Sequence, residues 1–126
     1  MKESRTVGTI CLKDNAGTEY HISKIEYVER EDGSFYYVFT PDYSVIDLLP
    51  ANLFQGIPGL DLSLRKEIYI RENIVPVFIS ERTPGPNRED LDALLKETDM
   101  EYLNRLEWLI RTQMHYGGDL LYVTKS

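Results

Sequence analysis

The side chains suited to soft-metal binding or near-neutral acid–base chemistry are few: a single cysteine, Cys11, and two histidines, His21 and His115. They are far apart along the chain. No H-x-x-x-H, C-x-x-C or acidic calcium loop brings them or the acids together, so the sequence predicts no metal site. Cys11 falls within the apolar run Val7-Gly8-Thr9-Ile10-Cys11-Leu12 and reads as a buried thiol rather than a nucleophile. Gly56-Ile57-Pro58-Gly59 and Gly117-Gly118 fit neither phosphate-loop pattern, and neither precedes a helix. There is no kinase catalytic loop and no D-F-G. Glu89 and Asp90 are better read as helix-start acids than as a general acid and base. No nucleophile, base and orienting group recur at workable spacing. The expectation is a chain without catalytic residues or cofactor, an enzyme with a site composed from distant loops being the alternative.

Two features are suited to recognition instead. Each residue of a helix advances about 100° around its axis. With Leu106 at the centre of an apolar stripe, Trp108 falls on the far side, among Glu101, Asn104, Arg111 and His115. Either it covers a neighbouring loop of its own domain, or it is exposed with Arg111 for a partner, both types being enriched in binding hot spots. The second feature is the elbow Ser80-Glu81-Arg82-Thr83-Pro84-Gly85-Pro86. Glu81 and Arg82 either pair locally or are held out rigidly for docking at little ordering cost. The partner-surface candidates are thus Trp108, Arg111, Glu81 and Arg82.

The elements that would position these groups fit one domain spanning residues 1–126. No apolar run approaches membrane-helix length, no signal-peptide core follows Met1, and one cysteine allows no internal disulfide, so the expected place is the cytoplasm. The formal net charge is −7, with acids spread along the whole chain. That argues against direct nucleic-acid binding and is compatible with a basic protein partner or with solubility alone.

The N-terminal third predicts a three-stranded antiparallel meander. Its strands are 7–12, 18–29 and 35–39, with a turn at 14–17, a hairpin at Asp32-Gly33 and a bulge near Ser23-Lys24. A short helix at 43–49 stops at Pro50. Leu60, Leu62 and Leu64 alternate as in an extended segment, and Ile68-Tyr69-Ile70 reads as a short strand. Residues 73–81 are ambiguous: propensity favours a strand, yet Asn73 could cap a helix with Pro76 in its first turn. Asn87 is the expected cap of a helix with an apolar stripe at Leu91, Leu94 and Leu95. Asp99 is the expected cap of a second, running to about His115 with Tyr102, Leu103, Leu106, Leu109 and Ile110 buried. Gly117-Gly118 would end it before a last strand at 120–123. The fold class is α+β: a small antiparallel sheet with helices concentrated in the C-terminal half.

In this order the segments resemble the small N-terminal subdomain of the HipA family of serine/threonine kinase toxins. Val7-Gly8-Thr9-Ile10 is similar to the family's V-G-x-L strand, and 35–43 (FYYVFTPDY) to its F-x-Y-x-x-x-(W/Y)-L segment. Ile57–Leu64 (IPGLDLSL) resembles P-L-S-x-S-L-P-L, and Val77–Pro84 (VFISERTP) resembles F-F-x-x-L-L-P, with Glu81-Arg82 in place of leucines. Leu106–Ile110 and Gly117-Gly118-Asp119 run parallel to its later F-x-L-L and glycine-containing stretches. The resemblance spans roughly residues 7–123 and tips 73–81 towards helix. It implies a free-standing, HipS-like module of a toxin–antitoxin system that binds and inhibits a HipA/HipT-like kinase. The family's phosphotransfer residues have no counterparts here. The competing expectation is an adaptor touching a helix-turn-helix, HipB-like DNA-binding protein, with no direct contact to nucleic acid.

Overall fold

The computed structural model describes residues 3–85, 87–113 and 119–126. The predicted meander is present with longer strands: β1 (Glu3–Lys13), β2 (Glu19–Arg30) and β3 (Phe35–Pro41). Two later strands complete an antiparallel sheet, β4 (Tyr69–Glu72) beside β3 and β5 (Leu121–Lys125) beside β1. The order is β4-β3-β2-β1-β5. The turn between β2 and β3 is built as the Asp-Gly pair requires. Gly33 takes φ 90°, and the Asp32 carboxylate accepts from Ser34 N at 2.9 Å. The expected bulge lies one residue earlier than predicted. Ile10 pairs with Ser23 and Cys11 with His21, leaving Ile22 as the extra residue of β2. The insertion lets consecutive side chains, Ile22 and Ser23, both be buried.

One face of the sheet carries the core. Ile10, Leu12, Ile25, Tyr37, Phe39, Tyr69, Leu121 and Val123 meet Phe78, Ile79, Leu106, Trp108 and Leu109 there. The latter come from α2 (Val77–Ser80) and α4 (Arg105–Thr112); α1 (Tyr43–Ile46) and α3 (Leu91–Glu97) are the other helices. Gly8 marks where α4 lies against β1. A Cβ there would come within 2.8 Å of Val123 Cγ1 and 3.3 Å of Ile110 Cδ1. Asn104 Nδ2 donates to Thr6 Oγ1 at 3.0 Å beside it.

Several boundaries differ from expectation for local reasons. Leu62–Leu64 forms a 3₁₀ turn rather than an extended segment, because the Asp61 carboxylate accepts from Ser63 N and closes the chain on itself. In the ambiguous stretch 73–81, helix forms only over Val77–Ser80. Asn73 does not cap it: at φ 55° its amide oxygen accepts from Phe35 N, extending the β3–β4 pairing. Asn87 does not cap α3, which begins four residues later at Leu91. Asp90, just before it, pairs with Arg88 at 2.5 Å instead of capping.

Asp99 ends α3 rather than starting α4. It takes φ 58°, its N–H donates to Lys96 O and that of Met100 to Leu95 O, the two bonds of a Schellman closure. The cap of α4 is Asn104, whose side chain accepts from Glu107 N at 3.1 Å. Tyr102, expected in the core, therefore precedes the helix and is exposed. The second helix ends at Thr112, short of the expected His115, because Gln113 takes a left-handed φ of 49° and donates its N–H to Leu109 O; the Gly117-Gly118 cap lies outside the described residues.

Candidate functional site

Helix geometry alone would leave Trp108 on the solvent side of α4. The structure corrects that: Trp108 is 6% exposed and belongs to the core cluster. Leu106 and Trp108, about 200° apart around the axis, are both buried. The helix is enclosed on two sides, not one, and the single-stripe reading fails for that reason. Arg111 is exposed but engaged. It donates to Thr98 O at 2.7 Å and Asp99 O at 2.8 Å, and its Nε lies 3.3 Å from Glu107. Those carbonyls end α3, so the Arg111 cation ties α4 to the negative end of its neighbour.

The elbow also turns inward. The Arg82 side chain is fully buried, its guanidinium 3.9 Å from the centroid of Phe78. It donates to Phe78 O at 3.0 Å and to Asp119, just ahead of β5, at 2.5 Å. Glu81 lies 3.5 Å from the same guanidinium. Thr83 Oγ1 donates to Ile79 O at 2.7 Å and accepts from Arg105 at 3.2 Å. The elbow fastens α2 to α4 and β5. Trp108, Arg111, Glu81 and Arg82 are not brought together as one exposed surface.

What is exposed and apolar lies elsewhere. Of the large apolar side chains open to solvent among the described residues, Leu48, Leu64, Ile68, Ile70, Ile74 and Val77 fall within residues 48–77, the stretch of chain that includes the edge strand β4, and Tyr102 and Leu120 lie outside it. Val77 packs on Gly59, and Arg71 donates to both Gly59 O and Ile70 O, so these segments adjoin. The bidentate Arg65–Asp47 pair, at 2.6 and 3.0 Å, brings α1 to the 3₁₀ turn. The sequence showed these residues as ordinary strand and helix apolars. A four-residue edge strand cannot bury both its faces, and that topology was not legible in advance.

The face of the sheet opposite the core holds a second cluster, on β5, β1 and β2. Tyr122 and His21 flank Cys11 directly across the ladder. Glu19 sits two residues before His21, on the same face. His21 Nε2 is 3.0 Å from Glu19 Oε1, and the Tyr122 hydroxyl donates to Glu19 Oε2. That hydrogen bond, and then the one from His21, hold the Glu19 carboxyl below its usual range. Burial first, and then the Glu19 hydrogen bond, push the Tyr122 hydroxyl up, and burial raises the Cys11 thiol.

Comparison with protein-family models, curated proteins and solved structures finds no match to this chain. No helix among the described residues is long and apolar enough to cross a membrane.

Proposed function

We propose that this chain is a non-catalytic protein-binding module whose docking surface is the apolar edge around β4, and that its partner is a HipA/HipT-like serine/threonine kinase, which it inhibits. The observation that carries the docking surface is that Ile68 and Ile70, at and in the edge strand β4, and Ile74 and Val77, which follow it in the chain, are all exposed. Exposed apolar side chains concentrated along one edge are the kind of surface that takes a partner. The acidic surface, at net charge −7, suits a partner with a basic rim around an apolar centre. The kinase as partner rests on the segment resemblance, and a cytoplasmic location goes with it.

The test is capture with the tagged full chain from its native cell, followed by mass spectrometry and calorimetry with the purified partner. A HipA-like kinase should be recovered, and its autophosphorylation should fall when the chain is added. The double variant Ile70→Lys, Ile74→Lys should weaken binding by about 30-fold or more, as loss of a hot spot does. Its unfolding midpoint should not change, because both side chains are exposed. Recovery of a helix-turn-helix protein without a kinase would favour the adaptor reading. Undiminished binding by the double variant would move the interface away from β4.

A further inference from the structure

We infer that Cys11, His21 and Glu19 form a zinc site on the face of the sheet opposite the core. One donor atom from each, the Cys11 sulfur, a His21 ring nitrogen and a Glu19 carboxylate oxygen, lie within 4.8 Å of one another. Zinc bonds of 2.0–2.3 Å at tetrahedral angles set neighbouring donors about 3.3–3.6 Å apart. The His21–Glu19 separation of 3.0 Å is already near that spacing. Only the sulfur has to close in, by a side-chain adjustment on the order of 1 Å.

The backbone favours the arrangement. Glu19 and His21 share a face of β2 because side chains alternate along a strand. Cys11 is the direct cross-strand partner of His21. The bulge at Ile22 immediately follows, the kind of irregularity that re-aims side chains beside a site.

The donor set selects the ion. One thiolate, one imidazole and one carboxylate match the borderline-soft character of zinc, and calcium or magnesium would take oxygens only. The two anionic ligands neutralise the dication. On binding, the Cys11 thiol gives its proton to solvent. His21 binds through the Nε2 lone pair, its ring proton residing on Nδ1. The Tyr122 hydroxyl, on β5, holds the second oxygen of Glu19 and so orients the carboxylate as an outer-shell donor does. Glu19 and His21 are open to solvent, which leaves the fourth position to water and gives the ion a way in. Bound zinc would join β1 to β2, with β5 tied in through Tyr122. This site is independent of the proposed docking edge: β4 lies at one end of the sheet order and β5 at the other.

Cobalt titration of the full chain tests the inference, since thiolate ligation gives a charge-transfer band that mere structural support by Cys11 would not. One equivalent of Co²⁺ should produce the band, and Zn²⁺ should bleach it. Cys11→Ala should abolish it. Tyr122→Phe should weaken zinc binding by about 10–100-fold, the range for outer-shell partners. His21→Ala should weaken it at least as much. His21 is exposed, so that variant should fold normally, with its circular dichroism as the check. No thiolate band in the folded wild type, or zinc affinity unchanged in His21→Ala, overturns the site.

Discussion

Trp108 shows how one side chain can mislead a sequence reading and then become the most informative residue to mutate. On a helical wheel it stands among charged neighbours, but in the fold it is buried with no hydrogen-bond partner for its indole N–H among the described residues. We predict that Trp108→Ala costs about 3–5 kcal/mol of stability, the range for removing a large packed aromatic. The urea midpoint, with the slope checked for constancy, measures it. A loss under about 1 kcal/mol would mean the ring is not packed as described. Tyr37 gives a second prediction at this scale. Burial pushes its hydroxyl up to about 12, with nearby Arg105 pulling the other way. A raised folded pKa means that its contribution is whole below about 10 and lost as pH rises towards 12. The wild type should therefore lose stability between those limits, and Tyr37→Phe should lose less. Equal alkaline slopes for the two proteins would reject the assignment. Residue types did foretell the core members of β3 and the buried thiol. They did not foretell Arg82, since no local pattern announces that a charged elbow will fold inward onto Phe78 and Asp119.

The elements show where local signals compete. Between residues 87 and 104 the chain holds six side chains of a type able to cap a helix start: Asn87, Asp90, Asp92, Thr98, Asp99 and Asn104. Only Asn104 does so. Asp99 is diverted because α3 needs a left-handed residue at its end, a conformation Asp tolerates. Asn87 stands too far ahead of Leu91. The prediction is a contrast. Asn104→Ala should cost about 0.5–2 kcal/mol through loss of the cap, and somewhat more if its bond to Thr6 also counts. Asn87→Ala should fall within about 0.5 kcal/mol of wild type, as exposed turn substitutions do. Paired denaturation curves decide it, and an equal effect of the two would place the start of α3 earlier. The meander was legible because period-2 alternation and an Asp-Gly turn are both local. The helix boundaries were not, because each depends on which of several equivalent caps the packing of α3 and α4 selects.

At the scale of the molecule, the α+β class and the helices gathered towards the C-terminal half follow from the pattern, and the sheet has two strands more than the meander. The partners of β4 and β5 are set by topology, which no window of sequence contains. Both proposed sites depend on that. The apolar edge exists because β4 ends the sheet on one side, and Cys11, Glu19 and His21 meet because β1 and β2 lie side by side in one register. The placing of β5 has a further consequence, in the order of events during folding. Gly8 pairs with Lys125. The meander can zip up early from short hairpins, but one side of β1 must wait until the distant β5 has been made. Closing so long a loop carries an entropic cost, and native contacts of this separation form late. Until then β1 presents an unpaired ladder of N–H and C=O groups. That edge is therefore open to misassociation until β5 arrives, and β5 both pairs with it and adds Leu121 and Val123 to the core.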